Sequence, residues 1–339
     1  MDFVSFVIGL AAIGLLGFAN QRGPICTVGA IREIVTERRY VRLAALLEAS
    51  LWVGGGLVIL NAAGLLPQAP QGYRASTATV VGGVLLGIGA FINGTCAVGT
   101  IAGIGARQWA YLATLAGFFL GSLAMVWLAA PQQLDDGSII LMASAWLLTA
   151  CVVVFIVRLL THGRSIRRTG VKPLRYIWSP HVATTIMGLC FLVVFVTVGG
   201  WSYTDTLARL ARGATFEVIP SLLLFVALFT GALIGGWTAG ASGIKPRKDV
   251  TAGRCLLGGG LMGVGATLVP GNSDGLILMG MPLLRPYAWI AFVSMCMTIY
   301  IATVLAHKSG TRAGPDSVRQ HERGDGSHAQ RSGTEGAAS

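Results

Sequence analysis

"GGVLLGIGAFINGTCAVG", residues 82–99, runs as an apolar helix into Asn93, Gly94, Thr95 and Cys96 and leaves again through small residues. Shifted by 176 residues, the chain reads "GGGLMGVGATLVPGNSDG" at 258–275, and seven of the eighteen aligned positions are identical. They are Gly82/Gly258, Gly83/Gly259, Leu85/Leu261, Gly87/Gly263, Gly89/Gly265, Ala90/Ala266 and Gly99/Gly275. Glycine faces of the GxxxG kind can match by chance. Both copies, however, break into a polar turn at the same phase, and both lead into an aromatic-containing return segment. Read as a pair, they predict an internal repeat built around two interrupted helices.

The rest of the chain says where those breaks lie. Of 339 residues, 54% are hydrophobic and 12% charged, with a mean hydropathy of +0.70. Soluble domains carry about 25% charged residues, so the chain reads as an all-α polytopic membrane protein. Its net charge of +11 sits in short loops between apolar runs, where it sets topology and does not signal nucleic acid. The start, "MDFVSFVIGLAAIGLLGFAN", has an acid in place of a basic n-region and no small-residue cleavage site. It reads as a retained first membrane helix.

The predicted crossings are 3–19, 43–65, 77–92, 108–130, 138–160, 181–199, 218–240, 255–270 and 286–306, nine in all. Most fit the ~20 residues that span hydrocarbon. With the N-terminus outside, the inner connections carry sixteen Lys and Arg residues and the outer ones four (Arg74, Arg209, Arg212, Arg285). That asymmetry predicts an outside N-terminus and a cytoplasmic C-terminus. The segments 77–92 and 255–270 then enter from opposite sides. Inverted-topology repeats with broken or re-entrant half-helices follow, with the binding region near the midplane. The first repeat is 1–160, a basic cytoplasmic linker 161–180, the second repeat 181–306, and a polar tail 307–339 is expected to be disordered.

Non-helical backbone at membrane depth is tolerated where protein or a water-filled cavity satisfies it, so the breaks predict a cavity wall. Half-helix ends offer unpaired N–H groups to an anion, and Gly94, Gly99, Gly271 and Gly275 allow close backbone approach. Donors at the breaks are Asn93, Thr95, Asn272 and Ser273, with the thiols of Cys26 and Cys96. The six cysteines lack CxxC or Cys/His spacing, so no metal site and no cofactor are expected. Cys151, Cys190, Cys255 and Cys296 lie in or beside plain apolar helix and read as packing.

The segments "NQRGPICTVGAIREI" (20–34), "GIGAFINGTCAVGTIAGIG" (87–105) and "GGGLMGVGATLVPGNSDGLILMG" (258–280) resemble the YeeE/YedE family of sulfur-transport membrane proteins. The resemblance covers residues 1–306. It implies a nine-span inverted-repeat fold that takes up thiosulfate across the bacterial inner membrane. It further implies cysteines at the constrictions that hand the anion on through S–H contacts. Cys26 and Cys96 match the first and second family cysteines. The thiosulfate-transporting members have a third in the second break, where this chain has Asn272, which donates hydrogen bonds but offers no sulfur chemistry.

On this reading the partners are a small sulfur anion, the lipid bilayer and a soluble cytoplasmic sulfur-carrier protein. A dianion beside a thiol favours the protonated S–H form, and weak serial contacts suit permeation. Two other classes stay open: a passive channel for a small solute or anion, and a membrane sulfurtransferase working through a cysteine persulfide. No nucleotide motif or soluble catalytic domain supports an enzyme. Arg22, near the inner surface, reads equally as a cationic partner for the thiolate of that persulfide route or as a topology anchor. Asp274 is expected to cap the following half-helix or to sit at the outer mouth. Glu48 is expected to reach for Arg42 or water, and none of the histidines marks a proton path. Trp109, Tyr111, Tyr287 and Trp289 are read as membrane-interface anchors.

Overall fold

The computed structural model describes residues 3–23, 25–66, 72–127, 133–134, 149–150, 152–157, 160–161, 178–213, 218–239, 249–269 and 275–310. Most of the predicted crossing 138–160, most of the linker, the tail from 311, and Gly271, Asn272, Ser273 and Asp274 lie outside the described residues.

The first half contains α1 (Phe3–Arg22), α2 (Thr27–Glu37), α3 (Val41–Ala62), α4 (Thr77–Asn93), α5 (Ala97–Gly105) and α6 (Leu112–Ala124). The second contains α7 (Pro180–Thr197), α8 (Tyr203–Ala211), α9 (Val218–Ala239), α10 (Ala252–Leu268), a π-helical turn at Leu276–Gly280, and α11 (Pro286–Gly310). A two-residue antiparallel ribbon, Gly72–Tyr73 with Gln133–Leu134, is the only sheet among the described residues.

Local sequence sets the ends. A capping box of Ser76 and Thr79 starts α4, Ser179 with Pro180 starts α7, and Ser202 starts α8, each meeting backbone N–H groups that the helix leaves unpaired. At the far end of α4, Gly94 takes the left-handed conformation (φ 80°) and its N–H returns to Phe91 O. Only glycine enters that region at no cost, so the helix stops there and a new one starts at Ala97.

Six helical stretches are long and apolar enough to cross a membrane: Phe3–Glu37, Val41–Ala62, Thr77–Gly105, Pro180–Thr197, Ile219–Ala239 and Pro286–Lys308. The other three predicted crossings differ for separate reasons. That at 138–160 is mostly outside the described residues, and 108–130 shortens to a 3-10 turn followed by α6, which ends at Ala124. The third, α10, has 17 residues, about 26 Å at 1.5 Å per residue.

α10 packs against both α4 and α6. It crosses α4 on bare glycine. A Cβ at Gly89 would fall 2.7 Å from Gly258 O, and one at Gly258 would fall 2.7 Å from Gly89 O. The same exchange recurs between Gly82 and Gly265, at 2.9 and 2.7 Å. In lipid, where apolar side chains gain nothing by leaving solvent, such backbone contact is what drives helix association.

Candidate functional site

The helix break at 94–96 meets a second break, the connection between α1 and α2. Cys26 is the N-cap of α2 and Cys96 the N-cap of α5, both with extended backbone. The two residues meet directly. The Cys96 N–H donates to Cys26 Sγ at 3.1 Å, and Thr95 Oγ1 lies 3.1 Å from the same sulfur. The Cys96 thiol neighbours the Cys26 thiol. Cys96 is 2% exposed, while Cys26 is half-buried. Gly99, in the first turn of α5, makes room: a Cβ there would run into Thr95 Oγ1 and come 3.0 Å from Cys26 Sγ. Beside Cys26, the fully buried Thr27 hydroxyl has no hydrogen-bond partner among the described residues.

A soft sulfur thus sits where the N-termini of α2 and α5 converge. Helix N-termini carry partial positive charge and free N–H groups, so this is a neighbourhood suited to an anion. No group of three or more metal-ligating side chains occurs among the described residues.

Asn93 faces the loop it precedes. Its Nδ2 donates to Thr95 O (2.9 Å) and Thr100 Oγ1 (3.3 Å), and its Oδ1 accepts from Thr114 Oγ1 at 2.7 Å. Thr100 Oγ1 in turn donates to Cys96 O at 3.1 Å. The network is buried and ties the break to α6. Thr114→Val leaves Asn93 Oδ1 without its donor, and the purified protein is expected to lose about 1 kcal/mol of stability in detergent. Thermal unfolding measures it, and an unchanged transition would deny the brace.

A second brace comes from the other half of the chain. Tyr203, in the first turn of α8, donates its phenolic O–H to Ala97 O at 2.7 Å, and its ring packs on Phe225 and Phe229. Sequence reading missed both Thr114 and Tyr203. Thr114 reads as filler in an apolar helix, and Tyr203 lies in polar "WSYTDTLARL", which resembles an outer loop.

Arg22 is fully buried, not a surface anchor: its guanidinium donates to Thr238 Oγ1 at 2.6 Å and lies over the Phe18 ring. Glu48 pairs with His181, whereas the Arg42 backbone N–H goes to Glu33. Trp109 and Trp289 are 56% and 36% exposed, whereas Tyr111 and Tyr287, read with them as interface anchors, are buried in protein. Tyr111 packs on Gly103 of α5. Cys190 and Cys255 are buried and Cys296 is partly buried, all with free thiols. Gly275 is buried at the start of the π-helical turn.

The fold and this pair of helix breaks define a helical, multi-pass membrane protein. The chain belongs to the sulphur transport family, whose model matches residues 22–301, in agreement with the YeeE/YedE resemblance read from its motifs. It is 26% identical over 343 residues to the thiosulfate transporter TsuA of Escherichia coli, an alignment covering 90% of this chain and 96% of that one. Over 331 residues it is 25% identical to the thiosulfate transporter TsuA of Spirochaeta thermophila, covering 84% of this chain and 94% of the relative.

Proposed function

We propose that this protein is an inner-membrane transporter that takes up a small sulfur-containing anion, thiosulfate first among the candidates, along a narrow path between two inverted halves. The observation that carries the proposal is the Cys26 sulfur, held by the Cys96 N–H and beside Thr95 Oγ1 where two helix N-termini converge. The two TsuA relatives are named for thiosulfate.

The element spacing supports two inverted halves. The starts of α7, α8, α9, α10 and α11 follow those of α1, α2, α3, α4 and α6 by 174–177 residues. Packing recurs in the same pattern: α1 lies on α9 as α7 lies on α3, and α6 lies on α10 as α11 lies on α4. Gly83 backs onto Ala291 O as Gly259 backs onto Thr114 O. The basic-residue count argues for an outside N-terminus and cytoplasmic C-terminus.

In the mechanism, the anion displaces contacts that the break makes with itself. Cys26 and Cys96 present S–H donors, Thr27 and Thr95 hydroxyls, and the helix N-termini backbone N–H groups. Asn93 braces the loop, and Asn272 with Ser273 forms the opposing polar contact. Each donor is weak, so the anion moves on. A dianion entering a negative interior works against about 4.6 kcal/mol per 100 mV, so coupling or rapid consumption inside has to drive it.

Growth of a sulfur-source auxotroph carrying this gene, on thiosulfate, sulfite, sulfate or cysteine, tests the proposal. Rescue on thiosulfate is expected. Rescue on none of the four would remove the uptake reading. Saturable uptake in proteoliposomes, as opposed to flux linear in concentration, separates a transporter from a channel.

A further inference from the structure

Among the described residues, the buried charged side chains are Arg22, Glu48 and Arg285, so Glu48 is the sole buried acid. It lies on α3, and its Oε2 is 2.5 Å from His181 Nδ1 in the first turn of α7. The Glu48 side chain is 9% exposed and that of His181 37%. One partner is therefore sealed in protein while the other touches the surroundings, at the end of α7 that the charge count puts toward the cytoplasm.

The architecture does not need this pair. Positions 176 residues away are Leu224 for Glu48 and Ser5 for His181. α9 and α1 pack together there with an apolar and a hydroxyl residue, as α3 and α7 pack here with an acid and an imidazole. A buried ion pair is often no more stabilising than apolar residues of similar size, and an ionisable group inside a membrane is rare without a task.

Its surroundings connect it to the π-helical turn at Leu276–Gly280. Ser50, two residues from Glu48, donates through Oγ to Ile277 O of the π-helical turn at 2.7 Å. Further along α3, Gly54 abuts Pro282, whose carbonyl would lie 2.9 Å from a Cβ there. Charge added or removed at Glu48 is thus two residues from the side chain that holds the π-helical turn. The other charged groups on the helices packed around the pair are Arg22 on α1, Arg32, Glu33 and Glu37 on α2, and Arg42 on α3. Of these, Arg22 reaches Thr238, and Glu33 accepts the Arg42 N–H. The π-helical turn carries no charge.

We infer that Glu48 and His181 form a proton-binding site, loaded and emptied once per transport cycle, so that a proton enters with each anion. Holding one proton, the pair is neutral overall. Releasing it leaves a carboxylate facing a neutral imidazole, with His181 as the ring that passes the proton to water. One proton per dianion halves the charge moved against the membrane potential. The inference rests on the anion-uptake reading above.

The test uses the full-length protein in proteoliposomes containing a trapped pH-sensitive dye, with labelled thiosulfate followed in parallel. In the wild type, thiosulfate entry is expected to acidify the lumen. At clamped membrane potential the steady accumulation ratio should rise about tenfold per unit of inward pH gradient, as one coupled proton requires. Glu48→Gln keeps a hydrogen-bonding side chain but cannot titrate. It is expected to exchange labelled for unlabelled thiosulfate while losing both the acidification and the response to the gradient, and His181→Gln should weaken the same two signals. Thiosulfate uptake without proton movement in the wild type, or proton movement unchanged in Glu48→Gln, overturns the inference and leaves the uptake reading standing. No thiosulfate uptake by the wild type overturns the uptake reading and this inference with it.

Discussion

Thiosulfate uptake is expected to vanish in Cys96→Leu and to survive largely intact in Cys96→Ser. Cys96 is 2% exposed and donates its N–H to the Cys26 sulfur, with its own thiol alongside. Leucine removes the thiol and fills the space next to Gly99, so on the proposed route an anion meets hydrocarbon in place of a donor. Losing a hydrogen bond to a charged group costs about 1.5–3 kcal/mol, roughly ten- to a hundredfold in rate, before any blockage is counted. Serine keeps a donor of similar reach. If the route instead ran through a persulfide, serine would be as inactive as leucine, because an alcohol cannot carry sulfane sulfur. Initial rates in proteoliposomes, with both variants confirmed folded, decide between the two chemistries.

The second large effect is structural. Gly258→Leu is expected to yield no monodisperse protein in detergent. A Cβ at 258 would lie 2.7 Å from both Gly89 O and Asn93 N and 2.8 Å from Asn93 Cβ. One substitution therefore pries apart the α4–α10 crossing and the brace that holds the Cys96 loop. Overpacking a tight interior costs about 1–3 kcal/mol per site, and backbone facing backbone gives no flexible side chain to yield. Gly253, in the same helix, is the control, since a Cβ there meets nothing within 4 Å. Gly253→Ala should purify like the wild type. Equal yields of the two variants, read by size-exclusion chromatography, would contradict the crossing.

What the sequence could reveal divides along physical lines. Apolar runs and Gly94 are local, and the helix starts and the stop at 93 follow from them within a few residues. The glycines at 82, 89, 258 and 265 were visible as a repeat, and the fold uses them as one contact. The extents of the short helices were not visible. "TVGAIREIVTE" has too much charge for a crossing. Nor does any spacing bring Cys26 to Cys96, seventy residues on; that approach comes from tertiary packing. Asn93 is a different case. Its amide looks free in sequence, but the fold commits it to Thr95, Thr100 and Thr114. Glu48 and His181 lie 133 residues apart, and each taken alone has an ordinary reading.

The most direct test closes the two thiols on each other. In a variant with Cys151, Cys190, Cys255 and Cys296 replaced by alanine, mild oxidation should link Cys26 to Cys96, as mass spectrometry would detect. Thiosulfate uptake, assayed after the oxidant is removed, should fall to background as the link accumulates and return when it is reduced. Uptake that continues undiminished through the cross-linked protein would place the anion's route elsewhere.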